Sequence, residues 1–543
     1  MFFSRLKKYK YLLIFIPVLI STIIIYHNDS FYKYFRDNID SRLKKYFNLS
    51  LLNLTHTFAK ETDLYGSYKS FNKPLLNTDY INLTISDTSI SKLNQYLNSK
   101  PIKKKWVKAT LNIDGEFYES HLKFHGTDDN HYANDKYSYS IKINKGAGFY
   151  KNARRFKLIK GEEADPTIFA ANYVAENFGL ISTFGKMVFL KVNNINKGYY
   201  YFVEDIKDEY LKRKFEINNH SILVNVSDWS RKERVQLKTP HISDLDLMGE
   251  HLEFNKNNNL QPKAIFTYNL MSENIVKENI DTLINFFDCK YIGKFLAIAS
   301  IFNDVHFLTG DNLKLIYDFD KNLFYPIYRA EHSWQKLNNE LVFQEGRLIN
   351  TFVDYNKLLF ESFPLYRRSK NTRLFKLLLS NNKIRKVRDS VLMEISTNSN
   401  DFLEKIRNIH RINDRVMLHS KLSRRKYDIK KKEQMEFISQ MLFKSYKYLS
   451  YNHIYGSINM KNKTISIIND SFVSIKMVNK SNKKLVSLIP GIKLNENLDL
   501  VYKRYVVKIN DSIFNPTNYD FINSLNNISV KKNNIHLNYI EKN

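Results

Sequence analysis

The sequence predicts an α+β protein that begins with a single membrane-spanning helix and ends with a small all-β domain. Three patterns support this fold class. Residues 79–204 mostly alternate between apolar and polar side chains, residues 350–440 place apolar side chains at helical spacing, and residues 441–543 alternate again. Alternation is typical of half-buried strands, whereas a spacing of three or four residues is typical of amphipathic helices.

The chain has 543 residues, which exceeds one ordinary core, so more than one globular unit is expected. In chain order we predict a cytoplasmic basic tail (1–10), a transmembrane anchor (11–27), a stalk (28–78), a mixed α/β domain (79–435, helical from about 350) and a β-rich accessory domain (441–543). The sequence shows no internal repeat of fixed period.

The N-terminus predicts the anchor. Four basic residues among the first ten precede sixteen uncharged, mostly apolar residues, Tyr11–Tyr26. A helix of that length spans about 24 Å, close to the roughly 30 Å of a bilayer core. No small-residue cleavage site follows, so we expect an uncleaved anchor and not a signal peptide. The basic flank predicts a cytoplasmic N-terminus and an extracytoplasmic bulk, as in a bacterial single-pass membrane protein.

Charge and cysteine content narrow the classes of partner and site. The formal net charge of +29 favours anionic partners such as nucleic acid, anionic lipid or an acidic envelope polymer. The basic residues are spread along the chain and no zinc knuckle or RNP-like stretch occurs, so we expect no nucleic acid partner. Cys289 is the single cysteine, which excludes an intramolecular disulfide framework and a cysteine-based zinc site.

The first half of the mixed domain predicts a sheet of hairpins. Residues 105–126 form two strands around Asp114-Gly115, a favoured hairpin turn, and residues 186–206 form a second hairpin with its turn at 193–198. Strands are also predicted for YINLTIS, KYSYSIKIN and RRFKLIK. Between the last of these and the second hairpin, Asp165 as N-cap and Pro166 at the first turn predict a helix that ends near Gly179.

A second helix, KYIGKFLAIASIFND, leads into a polar stretch, FNDVHFLTGDN (302–312), and two short strands follow. The order of sheet, helix with polar loop and short hairpin is also that of protein kinases. In this stretch the Asp304 carboxylate is suited to accept a hydroxyl proton, and the Asn312 amide oxygen is suited to bind Mg²⁺. Both residue types are equally common in turns, so the spacing alone leaves a structural role open.

Seven stretches, taken in their order along the chain, bear on the family to which the sequence is similar. They are HLKFHG, KYSYSIKIN, RRFKLIKGEEADPTIFAANYVAENFG, MVFLKVNNINKGYYYFVEDI, SIFNDVHFLTGDNLKLIYD, LFYPIYRAEHSW and LFKLLLSNNKIRKVRDSVL. Together they resemble the spore-coat CotH kinase family, atypical kinases that phosphorylate secreted proteins. The resemblance covers about 80–435 and implies a two-lobed, atypical protein-kinase-like domain. It also implies ATP and Mg²⁺, or Mn²⁺, as cofactors and a protein Ser/Thr or an anionic envelope polymer as the acceptor.

The resemblance assigns roles residue by residue. Lys142 or Lys136 corresponds to the phosphate-binding lysine; both point to one face of a regular strand, so strand parity does not choose between them. Glu204 is the expected partner of that lysine or of the metal. Asp304 corresponds to the catalytic base and Asn312 to a metal ligand.

The chain departs from the family at its metal-binding Asp-x-Asp, where it has Arg329-Ala330-Glu331. Glu331 retains a carboxylate and is the expected second metal ligand, whereas Arg329 places a cation beside the metal. His125 also stands where the family has arginine. These changes define an alternative, a catalytically degenerate pseudokinase that binds partners during envelope or spore-coat assembly. A metal-dependent hydrolase built on KFHGTDDNHY (123–132) is a third, weaker hypothesis.

Overall fold

The computed structural model describes most of residues 79–225, 261–330, 370–414 and 421–539, with short gaps in these ranges, and a few residues elsewhere. The chain divides into two compact units, each built from separate stretches of sequence. The first comprises residues 1–170, 184–209 and 406–434, and the second comprises residues 171–183, 210–405 and 435–543.

The first unit contains a closed, seven-stranded β-barrel. Its strands are β1 (Asp79–Thr84), β2 (Val107–Ile113), β3 (Glu116–Phe124), β4 (Tyr139–Ile143), β5 (Arg155–Lys160), β6 (Gly185–Val192) and β7 (Ile195–Glu204). Helix α1 (Asp87–Leu97) connects β1 to β2, and α2 (Pro166–Asn177) connects β5 to β6. The hydrogen-bonded order is β1-β2-β3-β4-β5-β7-β6, and β1 closes the ring by pairing in parallel with β6.

This barrel corrects the predicted fold class: a kinase-like, two-lobed domain is wrong. The predicted hairpins do form, since β2 pairs with β3 and β6 with β7. The second turn is tighter than predicted, because Asn193 and Asn194 both adopt positive φ and β7 already begins at Ile195. What the local pattern did not reveal is the pairing of β1 with β6, which closes the sheet on itself and leaves it no free edge.

Asn193 reinforces that closure. Its side-chain Oδ1 accepts from the backbone N–H of Ile85 at 2.7 Å, and its Nδ2 donates to the Ile85 carbonyl at 2.9 Å. Its own backbone N–H donates to the Leu83 carbonyl. The turn between β6 and β7 is therefore hydrogen-bonded to the end of β1.

Alternate residues of each strand fill the barrel interior. Fully buried members of this core include Leu83, Leu111, Leu122, Ile141, Phe156, Leu158 and Leu190. On the outside, α2 covers the region of β7, where the ring of Phe169 stacks on Tyr201 with centroids 3.8 Å apart. The strands therefore have a definite inner and outer face, and side chains of opposite parity lie on opposite sides of the wall.

The second unit combines helices with a four-stranded sheet, β11-β10-β8-β9. Its first elements are α3 (Asp208–Phe215), β8 (His220–Asn225), β9 (Leu252–Glu253), α4 (Gln261–Val276), α5 (Ile280–Leu283), α6 (Cys289–Phe302), β10 (Lys314–Asp318) and β11 (Leu323–Pro326). Helices α7 (Lys370–Ser380) and α8 (Asn382–Thr397) follow in this unit. Helices α9 (Ser399–Asp414) and α10 (Lys421–Ser450) are each divided between the two units, because residues 406–434 belong to the first. Helix α6 is almost wholly buried and packs on α8 at Gly293, where a Cβ would lie 2.5 Å from the Val387 Cβ.

Short strands make up the C-terminal part of this unit. They are β12 (Ile454–Asn459), β13 (Thr464–Asn469), β14 (Ile475–Asn479), β15 (Leu485–Ile489), β16 (Lys493–Leu494), β17 (Leu500–Val501), β18 (Arg504–Lys508), β19 (Tyr519–Asn523) and β20 (Ile535–Tyr539). They form a four-stranded sheet β18-β13-β12-β20, a three-stranded sheet β15-β14-β19 and the pair β16-β17.

The predicted membrane topology, with an extracytoplasmic bulk, is also corrected. In the part of the chain that the structure describes, no helix is both long enough and apolar enough to span a membrane. The longest helix, α10, has 30 residues, but lysines and arginines recur along it. The predicted anchor at 11–27 lies outside the described residues.

Barrel closure predicts a specific cross-link. Asn82 on β1 and Lys191 on β6 are paired residues of adjacent strands, so their Cα atoms lie about 5 Å apart, within disulfide range. In a Cys289→Ser background, Asn82→Cys with Lys191→Cys should form a disulfide on oxidation, measured as a loss of two free thiols. The control, Asn82→Cys with Lys142→Cys, should retain both thiols because β4 is remote from β1 in the strand order. Two free thiols in both variants would contradict the closed barrel.

Candidate functional site

The structure describes three of the six residues to which the sequence assigned a role. Lys142 and Glu204 lie in the first unit and Asp304 lies in the second. The other three lie outside the described residues: Lys136, Asn312 and Glu331.

Lys142 lies on the outer face of the barrel. Its neighbours in β4, Ile141 and Ile143, are fully buried in the core, so alternation directs Lys142 outward. The strand register places His121 of β3 on one side of it and Arg155 of β5 on the other. The predicted phosphate-binding lysine therefore has a second cation directly opposite.

Glu204 does not share that face. It is the last residue of β7 and pairs with Phe156, whose ring is buried in the barrel core. Since Phe156 and Arg155 are consecutive in β5, Glu204 has the parity of the inner face and Lys142 that of the outer face. The register does not bring the predicted lysine and glutamate together.

Asp304 is buried, with 3% of its surface exposed. Its backbone N–H donates to the Ala299 carbonyl at 2.9 Å, which caps the end of α6. The fully buried Tyr328 has a pKa raised well above its ordinary value, first by burial and then by the negative charge of Asp304. Asp304 thus joins the end of α6 to the chain after β11, an arrangement that suits a structural carboxylate.

The segment that includes Arg329 and Ala330 is held by hydrogen bonds of its backbone. The N–H of Tyr328 donates to the Ile181 carbonyl at 2.8 Å, and the N–H of Ala330 donates to Asn172 Oδ1 at 3.0 Å. Asn172 Oδ1 also accepts from Ser182 Oγ at 3.3 Å. Ala330 is buried between these contacts and Arg329 is half-buried. The backbone that presents Arg329 is therefore a fixed part of the second unit.

The histidines of the weaker hydrolase hypothesis contact serines of the barrel. His125 Nδ1 lies 3.3 Å from Ser140 Oγ, and His131 Nδ1 lies 3.0 Å from Ser138 Oγ. Gly126, with φ of +96°, lies against the His131 ring, where a Cβ would approach the imidazole to 2.1 Å. Within the described ranges no group of three or more His, Cys, Asp or Glu side chains is arranged to hold a metal ion.

The outer face of β2 to β5 is basic over two neighbouring cross-strand rows. The first row, which ends just beyond β7, contains Lys108, His121, Lys142, Arg155 and Asp205. The second row, which begins just before β2, contains Trp106, Lys123, Ser140, Lys157 and Val203. We call the surface formed by Lys108, Lys123, Lys142, Arg155 and Lys157 the basic face.

Some cations of this region have partners. Lys157 forms an ion pair with Asp205 at 3.2 Å, and the flanking Arg154 forms one with Glu209 at 3.1 Å. The ammonium of Lys123 lies 4.8 Å from the centroid of the exposed Trp106 ring, a cation–π contact.

Lys142 and Arg155 differ from these. Among the described residues, no carboxylate lies within ion-pair distance of either. The pKa of Lys142 is lowered, first by burial and then by the positive charges of Arg155, Arg154 and Lys145, while Glu209 acts in the opposite direction. The Nε of Arg155 is buried without a hydrogen-bond partner in the described part of the chain. The centre of the basic face is therefore a half-buried, like-charged pair.

Sequence reasoning found Lys142 but missed the rest of the basic face. The signal was present, because Lys123, Lys142 and Lys157 each take the polar position of an alternating strand. To recognise that these residues form one surface, one must also know which strands are adjacent and in what register they pair.

Comparisons with known proteins identify no relative: no family model matches the chain, and no curated protein matches it. The resemblance to the CotH kinase family therefore stays a prediction. By its structure, the chain combines a closed β-barrel that has a basic outer face with a second, mixed α/β unit.

The buried pair of Asp304 and Tyr328 generates a prediction about stability. Asp304→Ala removes a buried carboxylate together with the interactions it makes and should lower the free energy of unfolding by about 1–3 kcal/mol. Combined with Tyr328→Phe, the loss should be smaller than the sum of the single losses, with a coupling of roughly 0.5–3 kcal/mol. Urea unfolding measures both quantities.

The matched control for this comparison of single and double variants is Asp281→Ala, at an exposed position of α5. It should change the free energy of unfolding by less than about 0.5 kcal/mol. Additive losses, or an Asp304→Ala protein as stable as the control, would show that the two side chains do not interact.

Proposed function

We propose that the protein is a binding protein that holds a phosphate-bearing, anionic partner on the basic face and does not transfer a phosphoryl group. The observation that supports this most directly is the pair of Lys142 and Arg155. They are opposite each other on adjacent strands, half-buried, and without a carboxylate partner among the described residues.

Such a pair is unfavourable in the free protein. Like charges directly opposite on neighbouring strands destabilise a sheet, and partial burial strengthens the repulsion. An anion bound between the two side chains attracts both cations and so offsets their mutual repulsion. The guanidinium of Arg155 supplies a planar fork of donors and Lys142 supplies a point charge, the two kinds of group that bind phosphate in proteins.

The phosphotransferase hypothesis, with ATP and Mg²⁺ or Mn²⁺, has less support. Phosphoryl transfer requires the phosphate-binding lysine, its glutamate partner and the catalytic base to act on one bound nucleotide. Lys142 and Glu204 have opposite strand parity, and Asp304 is buried against Tyr328. The cation at Arg329 is a further departure, since the kinases that the sequence resembles have an aspartate there. We therefore prefer the binding alternative.

Inorganic pyrophosphate tests the proposal, because it offers phosphate charge without a nucleoside. The full chain should bind it in calorimetric titration, and Lys142→Gln or Arg155→Gln should each weaken binding about 10- to 100-fold, as expected for one charge-assisted contact. The control Lys92→Gln changes an exposed lysine on α1 and should bind like the unaltered protein. Equal affinity in all three variants would refute the proposed centre.

A second measurement addresses the competing hypothesis. With ATP and Mg²⁺ or Mn²⁺, no phosphate release and no self-labelling above background is expected. Turnover that is lost in Asp304→Asn, in a variant that remains folded, would overturn the binding proposal in favour of a phosphotransferase.

A further inference from the structure

We infer that the occupant of the basic face is a linear phosphate polymer without nucleobases, lying across β2, β3, β4 and β5. This rests on the proposed function and deepens it, since it replaces an unspecified phosphate-bearing partner by an extended chain. The inference depends on the span of the face, its charge balance and its small number of aromatic rings.

The first argument is length. The cations of the basic face lie on four consecutive strands, with Lys108 on β2 and Arg155 on β5. Adjacent strands are about 4.8 Å apart, so three intervals place these end positions roughly 14 Å apart. One phosphate group reaches donors at about 2.8 Å, which suffices for two neighbouring strands and not for four. Several linked phosphates are needed to contact both ends.

The second argument is charge. The two rows contain five cations, Lys108, Lys123, Lys142, Arg155 and Lys157, and one carboxylate, Asp205. That carboxylate is already engaged with Lys157. A further cation, Lys104, precedes β2. Its pKa is lowered by burial and by the positive charge of Lys123. A surface with this excess attracts a chain that carries charge at regular intervals.

The third argument excludes bases as the recognised groups. Proteins that bind single-stranded nucleic acid combine cations with aromatic side chains on which successive bases stack. In the two rows only Trp106 and His121 carry rings. The ammonium of Lys123 lies over the Trp106 ring, and His121 Nδ1 is hydrogen-bonded to Asn144 Oδ1 at 2.8 Å. The described part of this face offers cations for phosphates and little free surface for bases.

Long-chain inorganic polyphosphate is the probe, compared with pyrophosphate on the full chain. Polyphosphate should bind at least tenfold more tightly, and its affinity should fall more steeply with salt because more counterions are released. Lys108→Gln, two strands away from Lys142, should weaken polyphosphate binding about tenfold and pyrophosphate binding by a much smaller factor. Lys142→Gln should weaken both, and the control Lys92→Gln neither.

The outcomes separate the inference from the proposal on which it rests. If pyrophosphate binding depends on Lys142 but polyphosphate binds no more tightly, the polymer inference fails and the proposed function stands. If single-stranded DNA or anionic vesicles bind more tightly than polyphosphate, the inference of a base-free polymer is overturned. If neither phosphate probe binds, both fail. Thermal denaturation of each variant verifies that a loss of binding is not a loss of folding.

Discussion

The pairing of β1 with β6 is the constraint on which the rest of the first unit depends. Seven strands joined mostly to their sequence neighbours would otherwise form an open sheet with two unpaired edges. The parallel register between β1 and β6, supported by the Asn193 side chain on the Ile85 backbone, turns that sheet into a closed wall. Closure determines which side chains form a core and which face outward.

Because the residues of each strand alternate, the inside of the barrel is lined by apolar side chains and its outside carries charged ones. The inner parity of β4 and β5 contains Ile141, Phe156 and Leu158, which are fully buried. The outer parity contains Lys142 and Arg155, which the register brings opposite each other. A like-charged pair of this kind weakens the sheet that bears it. Its presence beside ion pairs such as Lys157–Asp205 is the observation that supports our proposal of an anionic ligand.

In the second unit, Asp304 shows that one residue type is compatible with two different roles. The stretch FNDVHFLTGDN follows a helix and contains the acidic and amide groups of a catalytic loop. In the described structure Asp304 is buried, its backbone N–H caps the end of α6, and its negative charge raises the pKa of Tyr328. A buried carboxylate beside a tyrosine and a catalytic one beside a substrate are indistinguishable as letters in a sequence.

By itself, the sequence determined the local elements. Alternation identified β1 to β7, turn-forming residues located the β2–β3 hairpin, and Pro166 marked the start of α2, because these features depend on neighbours within a few residues. It also showed Lys142 as a polar strand position and the excess of positive charge. Only the tertiary structure decided that the sheet closes, that Glu204 lies on the opposite face from Lys142 and that Arg155 lies beside Lys142. These facts depend on register between distant segments, and a shift of one residue reverses every side chain on a strand without changing its local pattern.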